Sequence, residues 1–345
     1  MAKILYGVMG NTYGHIMRAR AIVNQWKGHE FYFIGGGRVM ETLKKEFPVL
    51  EVPVLRTVHR KQSVNVPAVI EQIFGRLWDI PRVCKRIARH IESWQPDLAV
   101  CDREFFLPFA CRRTGLRCVS VDHSHVLINC RYPVPSSQRL SWSLAMANDL
   151  LLFNHTRENC IVSFFHPPLK KNAPAFLFPP VLRPEVTAIQ PGHGEHVLVY
   201  QTSPTFKFLI DALRSLKRKV IVYGFRNELE TQRNITFKPY NLNSILEDLA
   251  GCAYAVVNGG HNLISEALFF GKPVLCFPIA NLFEQFLNAW HVRELGYGDF
   301  SLSTKPNAAL FEQFEAKLDS FHIEGKNFDG TSQVVHYLQN RLPSA

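Results

Sequence analysis

No stretch of this chain stays apolar for the roughly 18 residues that a membrane-crossing helix needs. The opening Met1-Ala2-Lys3-Ile4-Leu5-Tyr6 leads straight into a strand-like segment, so no signal peptide is expected. Cysteine occurs eight times, yet there is no Cys-x-x-Cys pair and no histidine at metal-ligand spacing from a cysteine. That argues against a zinc module or a disulfide framework, and for reduced, mostly buried thiols in a cytoplasmic protein. Internal repeats, low-complexity tracts and nucleic-acid-binding motifs are also missing, which removes solenoids and the common DNA- and RNA-binding modules.

What is present is an ordinary globular composition. Apolar residues make up 47% and charged residues 20% of 345 positions, enough for two domains with a core each. The charge is uneven. Residues 1–183 hold 25 of the 39 Lys and Arg against 13 of the 29 Asp and Glu, a balance of +12, which leaves −2 for residues 184–345. Nucleic acid, an anionic membrane or a phosphorylated acceptor would each respond to the positive half, and so would plain solvent around a surface with no partner.

The first half alternates short apolar strands with helices. Residues 3–8 read as a buried strand, followed by the Gly-rich loop 7–14 and a helix that opens near His15 and continues through Arg18, Ala21 and Ile22. Further strands are expected at 31–35, 49–54, 98–101, 116–121 and 161–165. Such alternation predicts a parallel, doubly wound sheet, in which chemistry collects beyond the C-terminal strand ends. Asp102, Asp122, His123 and His125 stand at such ends. A helix from Pro81 sets Val83, Ile87, Ile91 and Trp94 against Arg82, Lys85, Arg86 and Arg89, either a core-facing helix with a wet outer face or a contact for anionic lipid. Seven prolines between residues 167 and 191 predict a stiff linker and a domain boundary near 183–193.

The second half restarts the pattern and centres on residues 258–298. A strand at 253–257 delivers the chain into Asn258-Gly259-Gly260-His261-Asn262, where a helix begins with Leu263, Ile264, Ala267 and Leu268 as its buried stripe. Paired glycines let a ligand approach the main chain, and a helix N-terminus offers unpaired N–H groups and partial positive charge, a seat for a diphosphate. Glu266 shares a helix face with Asn262, one turn past the seat, where a carboxylate can accept from ribose hydroxyls. After Gly271-Lys272-Pro273 and a strand at 274–277 come Phe283-Glu284-Gln285 and Asn288-Ala289, acid and amide groups suited to a polyhydroxylated ligand. Gly-Gly before a helix is, by itself, more often a tight turn than a phosphate site.

The order of these parts resembles the nucleotide-sugar half of inverting GT-B glycosyltransferases, nearest the branch that includes MurG, the UDP-glycosyltransferases and poorly characterised microbial relatives. Gly14-His15 with Arg18, and the strings PDLAVCD (96–102) and VSVDHSH (119–125), resemble the same group, so the likeness covers most of the chain. The resemblance implies an α/β fold, GT-B, of two Rossmann-like domains facing across a cleft. Residues 1–183 would bind the acceptor and 184–345 the donor, the last helix commonly crossing back to the first domain. It implies an inverting, metal-independent glycosyltransferase (a hexosyltransferase) that moves a sugar from a nucleotide-diphosphate sugar, UDP-linked in the closest relatives, to a hydroxyl of a lipid, glycan or other acceptor. No resident cofactor and no metal is expected, in keeping with the lack of an Asp-x-Asp motif.

The same resemblance implies roles. His15 is the general base and Asp102 its orienting acid, with Asp102, Glu104 and Asp122 open as acidic alternatives to the histidine. Thr202, Ser203, Asn258, Gly259, Gly260, His261 and Asn262 face the diphosphate, Phe237 the base, Glu266 the ribose, and Glu284 and Gln285 the sugar. Asp122, His123 and His125 line the acceptor site. The expected partners are the donor and an unknown acceptor, anionic or membrane-associated if the basic half is used, with no nucleic acid. The protein would then be cytoplasmic, or peripheral on the inner face of the membrane. Two other classes stand beside this one. A UDP-sugar 2-epimerase on the same scaffold would need more acidic groups facing the sugar. A non-enzymatic nucleotide or nucleic-acid binder would have no use for His15 or the Glu284-Gln285 pair.

Overall fold

A computed structural model of the chain describes residues 1–54, 59–60, 63–64, 79–201, 207–224 and 231–343. It comprises two compact units. One contains Met1–Val58, Asn65–Arg183 and Gly330–Ala345, the other His59–Val64 and Pro184–Asp329.

The first unit is built on β1 (Lys3–Val8), β2 (Glu30–Gly35) and β3 (Val49–Glu51), then, beyond an antiparallel hairpin of β4 (His59–Arg60) and β5 (Ser63–Val64), on β6 (Leu98–Asp102), β7 (Cys118–Asp122), β8 (Glu158–Val162) and β9 (Ala175–Phe178). Its sheet has the order β3-β2-β1-β6-β7-β8-β9 with all pairs parallel. The strands read as unbroken apolar runs because helices cover both faces. On one face Val100, Val119 and Val121 pack with Ile16, Ala19 and Ile22 of α1 (Tyr13–Gln25). On the other, past the short α2 (Arg38–Thr42), Ala99, Cys101 and Cys118 pack with Val83, Ile87 and Ile91 of α3 (Asp79–Trp94) and Leu107 and Ala110 of α4 (Leu107–Thr114). Then come α5 (Val126–Asn129) and α6 (Arg139–Leu152).

The proline-dense segment corrects the expectation of a linker. It contains β9, which pairs with β8 from Asn159↔Ala175 to Val162↔Phe178 and lies at the sheet edge, where flanking prolines remove no ladder donor. The last strand expected at 161–165 is β8, shifted toward the N-terminus.

The second unit carries α7 (Pro184–Ala188), β10 (Val197–Tyr200), α8 (Lys207–Leu213), β11 (Val220–Tyr223), β12 (Ile235–Phe237), α9 (Leu242–Gly251), β13 (Tyr254–Val257), α10 (His261–Phe269), β14 (Val274–Cys276), α11 (Phe283–Glu294), β15 (Gly298–Phe300) and α12 (Ala308–Glu315). Its parallel sheet has the order β12-β11-β10-β13-β14-β15. The closing helix α13 (Thr331–Gln339) belongs to the first unit. Val334 and Leu338 join its core, and Ser332 Oγ accepts from Gln25 of α1 at 2.6 Å.

Both sheets therefore reverse direction once, between β1 and β6 in the first unit and between β10 and β13 in the second. Crevices at such reversals, beyond the C-terminal strand ends, are where open α/β sheets bind ligands. All eight cysteines are free and buried, and among the described residues no helix is long and apolar enough to cross a membrane.

Candidate active site

At the first reversal Val8 lies opposite Asp102, and Met9 N–H donates to the Asp102 carbonyl at 3.0 Å. The loop beyond β1 is pressed against the loop beyond β2, so tightly that a Cβ on Gly10 would stand 1.8 Å from the Gly36 carbonyl oxygen. The chain then enters α1 with His15 in its first turn and Arg18 three residues on, on the same helix face. Both reach Asp102, which is fully buried. His15 Nδ1 is 2.7 Å from Oδ1, Arg18 Nε donates to Oδ2 at 2.7 Å, and Arg18 Nη2 donates to Oδ1 at 2.8 Å. Burial by itself would raise the Asp102 pKa, but Arg18 and then His15 outweigh it and hold the carboxyl below its ordinary value.

These contacts assign the histidine tautomer. Arg18 Nη2 also lies 3.0 Å from His15 Nδ1. If Nδ1 accepted from Arg18, its lone pair would face the Asp102 oxygen at 2.7 Å, which is repulsive because a carboxylate only accepts. Nδ1 is therefore the nitrogen that carries a proton and donates to Asp102, and in the neutral ring the lone pair falls on Nε2, the nitrogen a general base needs. Nothing in the sequence beyond its place in the Gly-His-x-x-Arg string marks Arg18. Its i, i+3 spacing from His15 is the signal that could have found it.

Immediately after Asp102 the chain turns through Arg103, a non-glycine residue at φ +54°. Arg103 and Glu104 line a small recess of about 20 Å³, with Val8, Met9, Phe105 and Phe153 among its other walls. Arg103 is held by Asp149 at 2.8 Å and lies over the Phe153 ring at 4.1 Å. Burial pushes the Glu104 carboxyl up to about 7, although backbone donors at Leu107, Phe106 and Phe105 pull the other way.

Asp122, His123 and His125, the residues expected to line the acceptor site, have buried side chains. Strand alternation puts Asp102 on the α1 face of the sheet and Asp122 on the opposite face. His125 Nδ1 lies 2.6 Å from Asp122 Oδ2, and His125 N–H donates to Oδ1 at 2.9 Å. Burial would lower the His125 pKa, yet Asp122 overrides it and raises it, while the Asp122 pKa falls in return, His125 and Arg103 outweighing its burial. His123 Nδ1 bonds to the Val162 carbonyl at 3.0 Å. All three side chains are buried, and His125 Nε2 has no partner among the described residues.

At the second reversal Tyr200 lies opposite Val257, so Gln201 and Asn258 leave the sheet side by side, and Asn258 Nδ2 donates to Gln201 Oε1. Gln201 is fully buried and its Nε2 has no partner among the described residues. It is a site candidate that the sequence reading passed over in favour of Thr202 and Ser203, which lie outside the described residues. Gly259 takes φ +102°, and Gly260 caps α10 in an extended conformation with no side-chain cap bond. His261 Nδ1 and Asn262 Oδ1 are 3.2 Å apart, and Glu266 is buried one turn further on. Asn288 Nδ2 donates to the Gly259 carbonyl at 3.0 Å, and Gln285 Oε1 accepts from Ile279 N–H at 3.0 Å. The Asn288 amide thus braces the turn and the Gln285 amide the loop after β14, with Glu284 half-buried beside them. Phe237 ends β12, at the sheet edge, and packs partly buried against the core.

Two doubly wound units of this kind are the GT-B architecture, a class of glycosyltransferase. The model of the family described as glycosyl transferase family 1 matches residues 2–319, and the chain belongs to that family. It is similar to an uncharacterized glycosyltransferase of Methanosarcina acetivorans, 23% identical over 342 residues that cover 89% of this chain and 86% of that protein. A second one from the same organism is 48% identical over 96 residues, 25% of each chain. Among solved structures it resembles the glycotransferase of kitacinnamycin (TM-score 0.73, 14% identity, 99% of both chains). It also resembles MurG of Acinetobacter baumannii (TM-score 0.65, 12% identity, 99% of this chain and 100% of that one). The third is glycosyltransferase VinC in complex with dTDP (TM-score 0.62, 16% identity, 98% of this chain and 99% of that one). The protein is a glycosyltransferase.

Proposed function

We propose that this glycosyltransferase inverts the anomeric centre of a nucleotide-diphosphate sugar, UDP-linked, in passing the sugar to an acceptor hydroxyl. The observation that carries this is the 2.7 Å contact between His15 Nδ1 and the buried Asp102 carboxylate. With Nδ1–H given to Asp102, Nε2 is set to take the acceptor's proton as its oxygen attacks the anomeric carbon from the face opposite the diphosphate. Asp102, kept ionised by Arg18, then stabilises the imidazolium, as carboxylates do in other histidine–acid pairs.

In the second unit the α10 N-terminus, with Asn258, Gly259, Gly260, His261 and Asn262, receives the diphosphate. Backbone donors supply there the positive charge that a cation supplies elsewhere. Thr202 and Ser203 add hydroxyls, Glu266 takes the ribose, Phe237 the base, and Glu284 and Gln285 the sugar. VinC was solved with dTDP, a pyrimidine nucleoside diphosphate like UDP, which supports a pyrimidine donor. The acceptor hydroxyl approaches on the first unit, near the small recess that Arg103 and Glu104 line just after Asp102 in the chain.

A panel of UDP- and dTDP-sugars, with and without EDTA, tests this by product analysis. An NMR spectrum with the anomeric configuration opposite to the donor's is expected, with EDTA harmless. Retained configuration, or turnover abolished by EDTA, would overturn the reading.

A further inference from the structure

Helix α6 is built inside out. Its inward side carries Ser141 and Asp149, 7% and 3% exposed, while Leu140, Leu144 and Leu151 stand 73%, 37% and 71% exposed on its outer side. Positions i, i+4 and i+11 fall on one narrow stripe, and Ala147 completes it at i+7. The helix has one acid, Asp149, and that acid is turned inward onto Arg103. At its edge Trp142 Nε1 donates to Tyr132 Oη at 3.3 Å, a pair of half-buried rings of the kind that settles where apolar and wet regions meet.

The charge around the stripe has one sign. Exposed Arg139 opens the helix and exposed Arg157 follows it. Exposed Arg131 and Lys171 lie on the adjoining segments, which are tied together by Arg131 N–H to Pro168 O and Lys170 N–H to Asn129 O, both at 2.8 Å. The acids between residues 126 and 183 are Asp149 and Glu158, and Glu158 already faces Arg117 at 2.8 Å and Arg341 at 2.6 Å. Helix α3 is the contrary case. Its cations are exposed, but Val83, Ile87 and Ile91 are spent in the core, so it offers charge with nothing to insert.

We propose that α6 docks the protein on an anionic lipid surface, its leucines entering the boundary between headgroups and acyl chains while the surrounding arginines and lysines face lipid phosphates. A second copy of the chain fits less well, because a two-fold interface would set two identical basic rims against each other. This goes beyond glycosyl transfer and is independent of donor, acceptor and catalytic base.

The test is sedimentation of the full chain with vesicles of phosphatidylcholine alone, and of phosphatidylcholine mixed with phosphatidylglycerol, at low and high salt. Binding to the mixed vesicles, weakened by salt, is expected. The Leu140→Ser/Leu151→Ser variant, altered at exposed positions and verified by an unchanged melting temperature, should bind about tenfold or more weakly. The Arg82→Glu/Lys85→Glu variant on α3 should retain most of the binding. Negligible binding to both vesicle types, or a leucine variant that binds like the parent, would overturn the proposal. So would a dimer in sedimentation equilibrium that the leucine variant dissolves while vesicle binding is absent.

Discussion

Arg18 grips Asp102 with two nitrogens, Nε at 2.7 Å from one carboxylate oxygen and Nη2 at 2.8 Å from the other. Both groups are buried, so neither has water to fall back on. The planar fork aims one oxygen at His15 and keeps the carboxylate from rotating away. Removing one member of a buried ion pair strands the other. Arg18→Met should therefore cost about 3–5 kcal/mol of stability in urea unfolding. Stability equal to the parent's would mean that Asp102 finds another anchor.

Glu266 is buried on α10 one turn past the proposed diphosphate seat. If it accepts from the donor's ribose, Glu266→Ala should weaken UDP by about 1–3 kcal/mol, the usual scale for losing a hydrogen bond to a charged group. Titration calorimetry on a folded variant reads this directly. Undiminished affinity would take Glu266 out of the donor site.

Glu104 makes stability depend on pH. Its folded pKa of about 7 lies above the ordinary 4.5, so the fold favours the protonated acid. That contribution is full below about pH 4.5 and is lost as pH rises through about 7, at most on the order of 3 kcal/mol. His125, also raised, adds a loss in the same direction at higher pH. Glu104→Gln keeps an oxygen for Leu107 N–H, which now donates to Glu104 at 2.6 Å, and cannot ionise. Melting temperatures between pH 5 and pH 8 should fall less in this variant than in the parent. Parallel curves would show that Glu104 does not titrate in this range.

Much of the fold was legible because parallel strands covered on both faces leave uninterrupted apolar runs, and the polar residue that ends each run marks the edge where ligands bind. That is how Asp102 and the Asn258–Asn262 turn stand out in a bare sequence, whereas His15 is picked out by the resemblance of its Gly-His-x-x-Arg string. What stayed hidden depends on the third dimension. Asp102 and Asp122 look equivalent as strand-ending acids, and only their alternation relative to α1 separates them onto opposite faces. Strand β9 was masked by its flanking prolines, which an edge strand tolerates. Arg18 reads as a helix residue until the helix is docked and its fork meets a carboxylate 84 residues away.

His15 and Asp102 should separate when mutated, because their burial differs. The His15 side chain is 20% exposed and Asp102 is fully buried. His15→Ala should cost little stability, yet cut turnover by about a hundredfold to ten-thousandfold, the scale of a general base. UDP affinity should barely change, since the proposed donor contacts belong to the second unit. Asp102→Asn should show the reverse weighting. An amide cannot accept at both ends, so one of its two positions turns donors toward Arg18 or His15, and stability should fall by about 1–3 kcal/mol. Its turnover loss should be smaller than that of His15→Ala if the carboxylate only orients the ring. Near-normal turnover in His15→Ala would sink the dyad and pass the base role to an acid. Glu104, at the recess beside Asp102, would then come before Asp122, which is bound to His125 on the far face of the sheet.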